Sequence, residues 1–356
     1  MSAEEIIRAG RVLVTGAGGF LGANLVWALR EHGIAVRALV RRPPRGPQWL
    51  GLDGVQFAVG DIRNPGVVAS ALEGVTAVIH AAALTRLIPR PRRDAHEINV
   101  EATQRLCAAA LQAGVRRFVF TSSASTIAPG TIEHPANEDS PRNRDPIRTP
   151  YYTSKRIGEQ IVRAFNARGL ETITLCPSYI IGPRDVRPTT NELLLAAARW
   201  PWLILPPGGM NVVDVREAAR AHVRALWLGC PGERYLLAGP YRSYADLGNS
   251  VQRILGRRGR VRLLPRWTRT AGSIPLAIAS GVWPNVPNGL TVASFQYGFV
   301  PYHLSGAKGD ETFGLIHRPP EETVFDTLCW FRDTGLAPWL SRHWTLGANY
   351  STAVDR

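Results

Sequence analysis

The chain is almost without lysine: Lys155 and Lys308 are its only two, although lysine and arginine together number 42. Cysteine is sparse as well. Cys107, Cys176, Cys230 and Cys329 are scattered with no Cys-x-x-Cys pair, which speaks against a zinc site or a disulfide framework. No metal is expected, and a reducing cytoplasm is the simplest compartment. No apolar run reaches membrane-spanning length. The best candidate, Ala271 to Trp283, is too short and contains Pro275, so it reads as a core or lobe helix, with peripheral membrane contact the lesser alternative, and no transmembrane segment is expected. Met1 to Gly10 is polar and carries Glu4 and Glu5, unlike a signal peptide. Acidic residues number 28, leaving a net charge of +14. Such charge invites a nucleic-acid reading, but the arginines are dispersed and no nucleic-acid motif accompanies them. No nucleic-acid partner is therefore expected.

What the sequence does contain is alternation of strand and helix. Apolar runs at 12–15, 35–40, 55–59, 77–81, 117–121 and 172–176 read as strands, and 22–32, 67–72, 98–113 and 151–168 as helices. Near-continuous apolar strands separated by amphipathic helices imply a parallel sheet covered on both faces. The pattern breaks after Pro183. There 191–199 reads as helix, 212–228 as a strand feeding a helix, 234–238 as strand, and Tyr244–Leu255 as a helix capped by Ser243. The expected fold is α/β, a doubly wound parallel Rossmann sheet with a smaller C-terminal substrate-binding lobe. In that division residues 1–182, completed by 211–239, form the dinucleotide-binding domain. Residues 183–210 and 240–340 form the lobe, and 341–356 a tail without usable pattern.

Thr15-Gly16-Ala17-Gly18-Gly19-Phe20-Leu21-Gly22 joins the first strand to the first helix. Gly16 permits a tight turn, Gly19 lets backbone approach a pyrophosphate, and Gly22 allows close packing. The helix N-terminus then offers free N–H groups and the positive end of its dipole, with Phe20 and Leu21 in its first turn. The second strand ends Val40-Arg41-Arg42. A carboxylate at this point usually binds the ribose hydroxyls of NAD, whereas an arginine suits a 2′-phosphate. The missing carboxylate and Arg41 together favour NADP(H), with NAD(H) as the alternative. Ala81-Ala82-Ala83 at the end of the fourth strand are small residues over which a cofactor can lie, and His80 before them reads as a packed strand-end histidine.

Thr121-Ser122-Ser123 ends the fifth strand, where ligands bind in such sheets. A Tyr-x-x-x-Lys, Tyr151 to Lys155, follows on a helix, where i and i+4 side chains share one face. A tyrosine hydroxyl titrates near pH 10, so a neighbouring ammonium is expected to lower it for proton exchange. A chain that writes arginine almost everywhere keeps lysine here, and guanidinium would alter both geometry and field. Tyr152 has no lysine four residues on.

Thr-Gly-x-x-Gly-x-x-Gly, Thr-Ser-Ser and Tyr-x-x-x-Lys in this order resemble the extended short-chain dehydrogenases/reductases, the NAD-dependent epimerase/dehydratase family. The match runs from about residue 11 to 239 and more weakly to about 333. Val36–Arg41, Arg117–Ser123 and Val212–His222 look most like the dihydroflavonol-reductase and 3β-hydroxysteroid-dehydrogenase branch. The resemblance implies Ser123 (rather than Ser122 or Ser125), Tyr151 and Lys155 as catalytic residues, Tyr151 and Lys155 also touching cofactor. It implies Asp61 beside adenine with Ile62 next to it, and a structural role for Asn99. It also implies that Pro177 and Ser178 lie against the nicotinamide. The usual Arg-Pro is Cys176-Pro177 here, and Cys176 reads as a small buried residue rather than a nucleophile. Ala128 stands where plant flavonoid reductases carry asparagine, which speaks against a flavonoid. Ser123-Ala124-Ser125 lacks the acids of a sugar-nucleotide dehydratase.

The expected activity is ketone/secondary-alcohol interconversion with NADP(H), Tyr151 serving as general acid/base. The alternatives are a nucleotide-sugar epimerase with retained cofactor and a non-catalytic cofactor-sensing protein, the latter disfavoured by the Tyr/Lys pair. The expected partner is a small-molecule substrate, anionic if Arg86, Arg90, Arg92, Arg93, Arg184 and Arg187 border the site. A homodimer is left open.

Overall fold

The computed structural model describes residues 3–85, 92–142, 149–257, 259–273, 275–276 and 291–340. The tail 341–356 and most of the Ala271–Trp283 segment lie outside the described residues.

Helix α1 (Ala3–Ala9) precedes strand β1 (Arg11–Thr15), helix α2 (Phe20–Glu31) and strand β2 (Ala35–Val40). Then come β3 (Gln56–Val59), α3 (Pro65–Leu72), β4 (Val75–His80), α4 (Arg92–His96), α5 (Ala102–Gln112) and β5 (Arg117–Thr121). Helix α6 (Pro150–Asn166) leads into β6 (Glu171–Pro177). After it follow β7 (Tyr179–Ile181), α7 (Glu192–Arg199), β8 (Trp202–Leu205), β9 (Gly209–Asp214), α8 (Val215–Arg224) and β10 (Arg234–Leu237). Strand β11 (Tyr241–Ser243), α9 (Tyr244–Ile254), β12 (Arg260–Leu263) and α10 (Thr268–Ala271) complete the labelled elements, and helices at Val292–Tyr297, Ala307–Phe313 and Pro320–Asp333 follow.

Seven strands form one sheet in the order β10-β6-β5-β4-β1-β2-β3, all pairs parallel. The order reverses beside β1, so the carboxyl ends of β1 and β4 open a crevice there. Alternation along β1 sends Val12 and Val14 into a core shared with α2 and α8, and Leu13 into one shared with α3, α5 and α6. This two-sided burial is why the strands read as unbroken apolar runs. Arg37 on β2 is buried and donates to the Gln56 side chain and to the carbonyls of Ser70, Ala71 and Glu73, where it caps the carboxyl end of α3.

The lobe has its own core: Leu194 and Ala197 of α7, Leu247 and Val251 of α9, and Val324, Leu328 and Phe331 of the Pro320–Asp333 helix. The capping box at the start of α9 is complete, Ser243 and Asp246 bonding reciprocally.

The segment expected to return to the Rossmann sheet does so only in part. Strand β10 joins it, but β9 pairs with β7 and β11 in a separate three-stranded sheet. Strand β7 leaves the main sheet one residue after Pro177 and carries β9 with it, while α8, which follows β9, packs on α2. The long helix expected over 98–113 begins earlier and contains a π-helical turn, Glu97–Glu101.

Candidate active site

Gly16 has φ +69°, and a Cβ there would lie 2.6 Å from the backbone of Ala82. Neither the left-handed turn nor the contact tolerates a side chain. A Cβ on Gly22 would lie 2.1 Å from the Gly16 carbonyl oxygen, so this glycine lets α2 fold back onto the loop itself. Gly19 is the N-cap of α2, and neither a capping side chain nor a first-turn acid is present. The amides of Phe20 and Leu21, which have no intrahelical acceptor, therefore face the crevice beside the loop. This glycine cradle and bare helix end suit a dinucleotide pyrophosphate.

A buried relay locks the loop to β4. Thr103 donates to the Asn99 carbonyl (2.9 Å), so it accepts from His80 Nε2 (2.9 Å). His80 Nδ1 then accepts from the Thr15 hydroxyl (2.6 Å), and Thr15 accepts from the Ala82 amide (3.3 Å). Burial holds the imidazole neutral, its pKa pushed down to about 3. Ala81, Ala82 and Ala83 are half-buried beside the loop.

At the far end of the crevice, Val40 is buried and Arg41 exposed. Asp61 receives three bonds from Arg63 (2.9, 3.0 and 2.9 Å), one from its amide and two from its guanidinium. These bonds hold its carboxyl below the usual range, with Arg41 adding a smaller pull. Arg63 is thus a cation beside Asp61 that the sequence reading did not single out. Ile62 is buried beneath.

Thr149 caps α6 by accepting from the Tyr152 amide, and Pro150 occupies its first turn. This sets Tyr151 at the helix start, where Ser123 is the neighbour that favours its ionised form. Ser123 in turn lies 3.0 Å from Ser125 Oγ. One turn on, Lys155 Nζ donates to the Thr121 carbonyl (2.6 Å) and lies 6.0 Å from the centre of the Tyr151 ring. Burial decides both titrations: it pushes the tyrosine hydroxyl up and the lysine down to about 8. The lowering of Tyr151 expected from the ammonium is not found: desolvation pushes the hydroxyl up, opposed only by Ser123. His222 holds the end of β5, its Nδ1 donating to the Ala218 carbonyl (2.7 Å) and its Nε2 accepting from Thr121 Oγ1 (3.0 Å).

Behind the tyrosine lies a buried carboxylate that the sequence reading missed. Glu159 Oε1 accepts from Ser122 (2.5 Å), Thr126 (2.8 Å) and the Cys176 thiol (3.8 Å). Its Oε2 pairs with Arg142, with Arg234 at 3.8 Å. Glu159 therefore ties α6 to both ends of the segment that carries Ser123. Its position four residues after Lys155 was the available signal, since it prolongs the face already shared by Tyr151 and Lys155. Cys176 is fully buried, and burial pushes its thiol well up.

Asn99 bonds both the amide and the carbonyl of Leu84 (2.7 and 3.1 Å) and donates to Ser154 (2.9 Å), tying the loop after β4 to α6. Pro177 ends β6 opposite Leu237. Ser178 spends its hydroxyl on the Asn211 carbonyl and its amide on Leu237, so neither donor is left to meet a nicotinamide. Arg184 bonds Asn24 and lies 4.2 Å over the Trp27 ring; it is spent on α2 rather than offered to a substrate. Arg187 is exposed. Arg86 and Arg90 and the side chains of Arg92 and Arg93 lie outside the described residues.

Residues 12–238 match the NAD dependent epimerase/dehydratase family. The chain is 30% identical over 333 residues to sterol demethylase protein B of Methylococcus capsulatus, covering 91% of this chain and 99% of that one. It is 29% identical to a putative dihydroflavonol 4-reductase of Synechocystis, over 90% of this chain and 94% of that one. The crystal structure of gox2253 superposes with a TM-score of 0.78 at 31% identity, over 92% of this chain and 99% of that one.

Proposed function

The chain belongs to the NAD dependent epimerase/dehydratase family, and from that premise we propose that it is an NADP(H)-dependent oxidoreductase interconverting a ketone and a secondary alcohol. The observation carrying this reading is the placing of Ser123, Tyr151 and a buried Lys155 together, Lys155 Nζ bonded to the Thr121 carbonyl at the carboxyl end of β5 and 6.0 Å from the centre of the Tyr151 ring. The bound nicotinamide supplies or accepts the hydride. Ser123 holds the substrate oxygen. Tyr151 gives that oxygen its proton and takes it back in the reverse direction. Lys155 keeps two N–H donors beyond the one spent on Thr121, enough to hold the nicotinamide ribose and to place positive charge beside the phenol. Gly16, Gly19, Phe20, Leu21 and Gly22 cradle the pyrophosphate, Ala81 to Ala83 underlie the cofactor, and Asp61 and Ile62 border adenine. Preference for NADP(H) rests on Arg41 at the end of β2, where no carboxylate stands.

Tyr151→Phe tests the assignment. Loss of turnover by roughly a hundredfold or more is expected, with NADPH binding by fluorescence titration unchanged. A variant keeping more than about a tenth of wild-type activity would place the proton donor elsewhere.

A further inference from the structure

The lobe presents an apolar and cationic face that its own core does not use. Strands β8 and β12 form a two-stranded parallel ribbon in which Trp202 pairs with Arg260, Leu203 with Val261, Ile204 with Arg262 and Leu205 with Leu263. Alternation turns Leu203 and Val261 inward onto α9. A Cβ on Gly248 of that helix would meet Val261 at 3.2 Å and Leu203 at 3.5 Å. The same alternation turns Trp202 and Ile204 outward, 61% and 67% exposed, beside the exposed Arg260 and Arg262. The Arg260 guanidinium lies 5.7 Å from the Trp202 ring centre. Beyond the ribbon, Trp267 is also exposed, at 72%.

Single exposed apolar side chains are ordinary, but a contiguous set marks a contact surface. Charge identifies its chemistry. No acidic residue occurs between Asp246 and Asp310, while seven arginines fall between Arg253 and Arg269. The charged residues of the ribbon are thus all arginines. A second copy of the same face would set arginine against arginine. A nucleic acid would satisfy the arginines but give Ile204 nothing. Indole rings, aliphatic side chains and arginines on one surface match the boundary of an anionic bilayer, where Trp sits at headgroup level and arginine pairs with phosphate.

We propose that the outer face of the β8–β12 ribbon, with Trp267, docks the protein peripherally on an anionic lipid bilayer. This surface is separate from the Tyr151 site and does not depend on the reaction assigned to it.

The full chain is mixed with vesicles of phosphatidylcholine alone and with vesicles that also contain phosphatidylglycerol, and sedimented. Binding is expected to the second set, weakening as salt rises. Arg260→Gln/Arg262→Gln should lower that binding by roughly fivefold per arginine. Trp202→Ser/Ile204→Ser should lower it too, and both double variants should keep the wild-type melting temperature and NADPH affinity. Absence of sedimentation with anionic vesicles overturns the proposal, as does unchanged binding by both folded variants. Loss of self-association or of duplex-DNA binding in the arginine variant, without loss of lipid binding, would assign the face to those partners instead.

Discussion

At the residue scale, the candidate site was legible wherever chemistry demands one residue type at one spacing. Lysine in a chain that otherwise writes arginine marked Lys155. The glycines marked the turn, because a Cβ on Gly16 or Gly22 has nowhere to go. Glu159 stayed hidden because its partners Ser122, Thr126, Arg142 and Cys176 are scattered in sequence and meet only through packing. Glu159→Ala leaves the buried Ser122 hydroxyl without its acceptor, at about 1–3 kcal/mol, while Thr126 can still donate to the Ser123 carbonyl. Arg142, being 41% exposed in its side chain, can rehydrate and adds little. Denaturant titration should show that loss together with a reduced kcat, since the segment bearing Ser123 is released; an unchanged midpoint would show that Glu159 does not hold it. Arg41→Ala should weaken NADPH by roughly tenfold to a hundredfold, the value of a hydrogen bond to a charged group, and leave NADH nearly unaffected. Titrating both cofactors checks this, and equal losses would make Arg41 a support for its loop rather than a reader of the phosphate.

At the element scale, β2 and β5 were read to the residue because they are buried runs bounded by turn signals. Strand β9 was placed in the wrong sheet because its apolar pattern fits either sheet. Only the departure of β7 after Pro177 decides between them, and three residues carry no periodicity to show it. The β8–β12 ribbon escaped notice because its pairing joins segments more than fifty residues apart. The π-helical turn of 97–101 likewise leaves no period in the sequence, yet it aims Asn99 at Leu84 and Ser154. Asn99→Ala should cost about 1–3 kcal/mol in unfolding free energy and raise the KM for cofactor, because the loop after Ala83 loses its tie to α6. A wild-type cofactor KM in this variant would show that the tie serves stability alone.

At the scale of the whole molecule, pH reports how the parts are joined. His317 clamps Glu217 of α8 to Asp310 of the Ala307–Phe313 helix, both at 2.9 Å, and these carboxylates raise its pKa from 6.5 to about 9. A raised pKa means that the stabilisation is whole below pH 6.5 and lost as pH rises to 9, at most about 3 kcal/mol. His80 and His222 work oppositely, lowered by burial to about 3 and about 4. The unfolded chain binds their protons first, so stability falls as pH drops below 6.5. Asp185, raised to about 6 by burial, offsets part of that fall. Stability measured by denaturant should therefore peak near pH 6.5, and His317→Gln should abolish the decline between 6.5 and 9; an unaltered alkaline decline would remove His317 as its source.

The same scale holds the central claim, that cofactor enters, reacts and leaves as a true co-substrate. The direct measurement is NADPH absorbance under multiple turnover, with enzyme far below cofactor and a panel of ketones and sugar nucleotides as substrates. Oxidation of many equivalents of NADPH per enzyme, matched by secondary alcohol formed, is the predicted result. Conversion of a sugar nucleotide to its epimer with no net change in NADPH would contradict it.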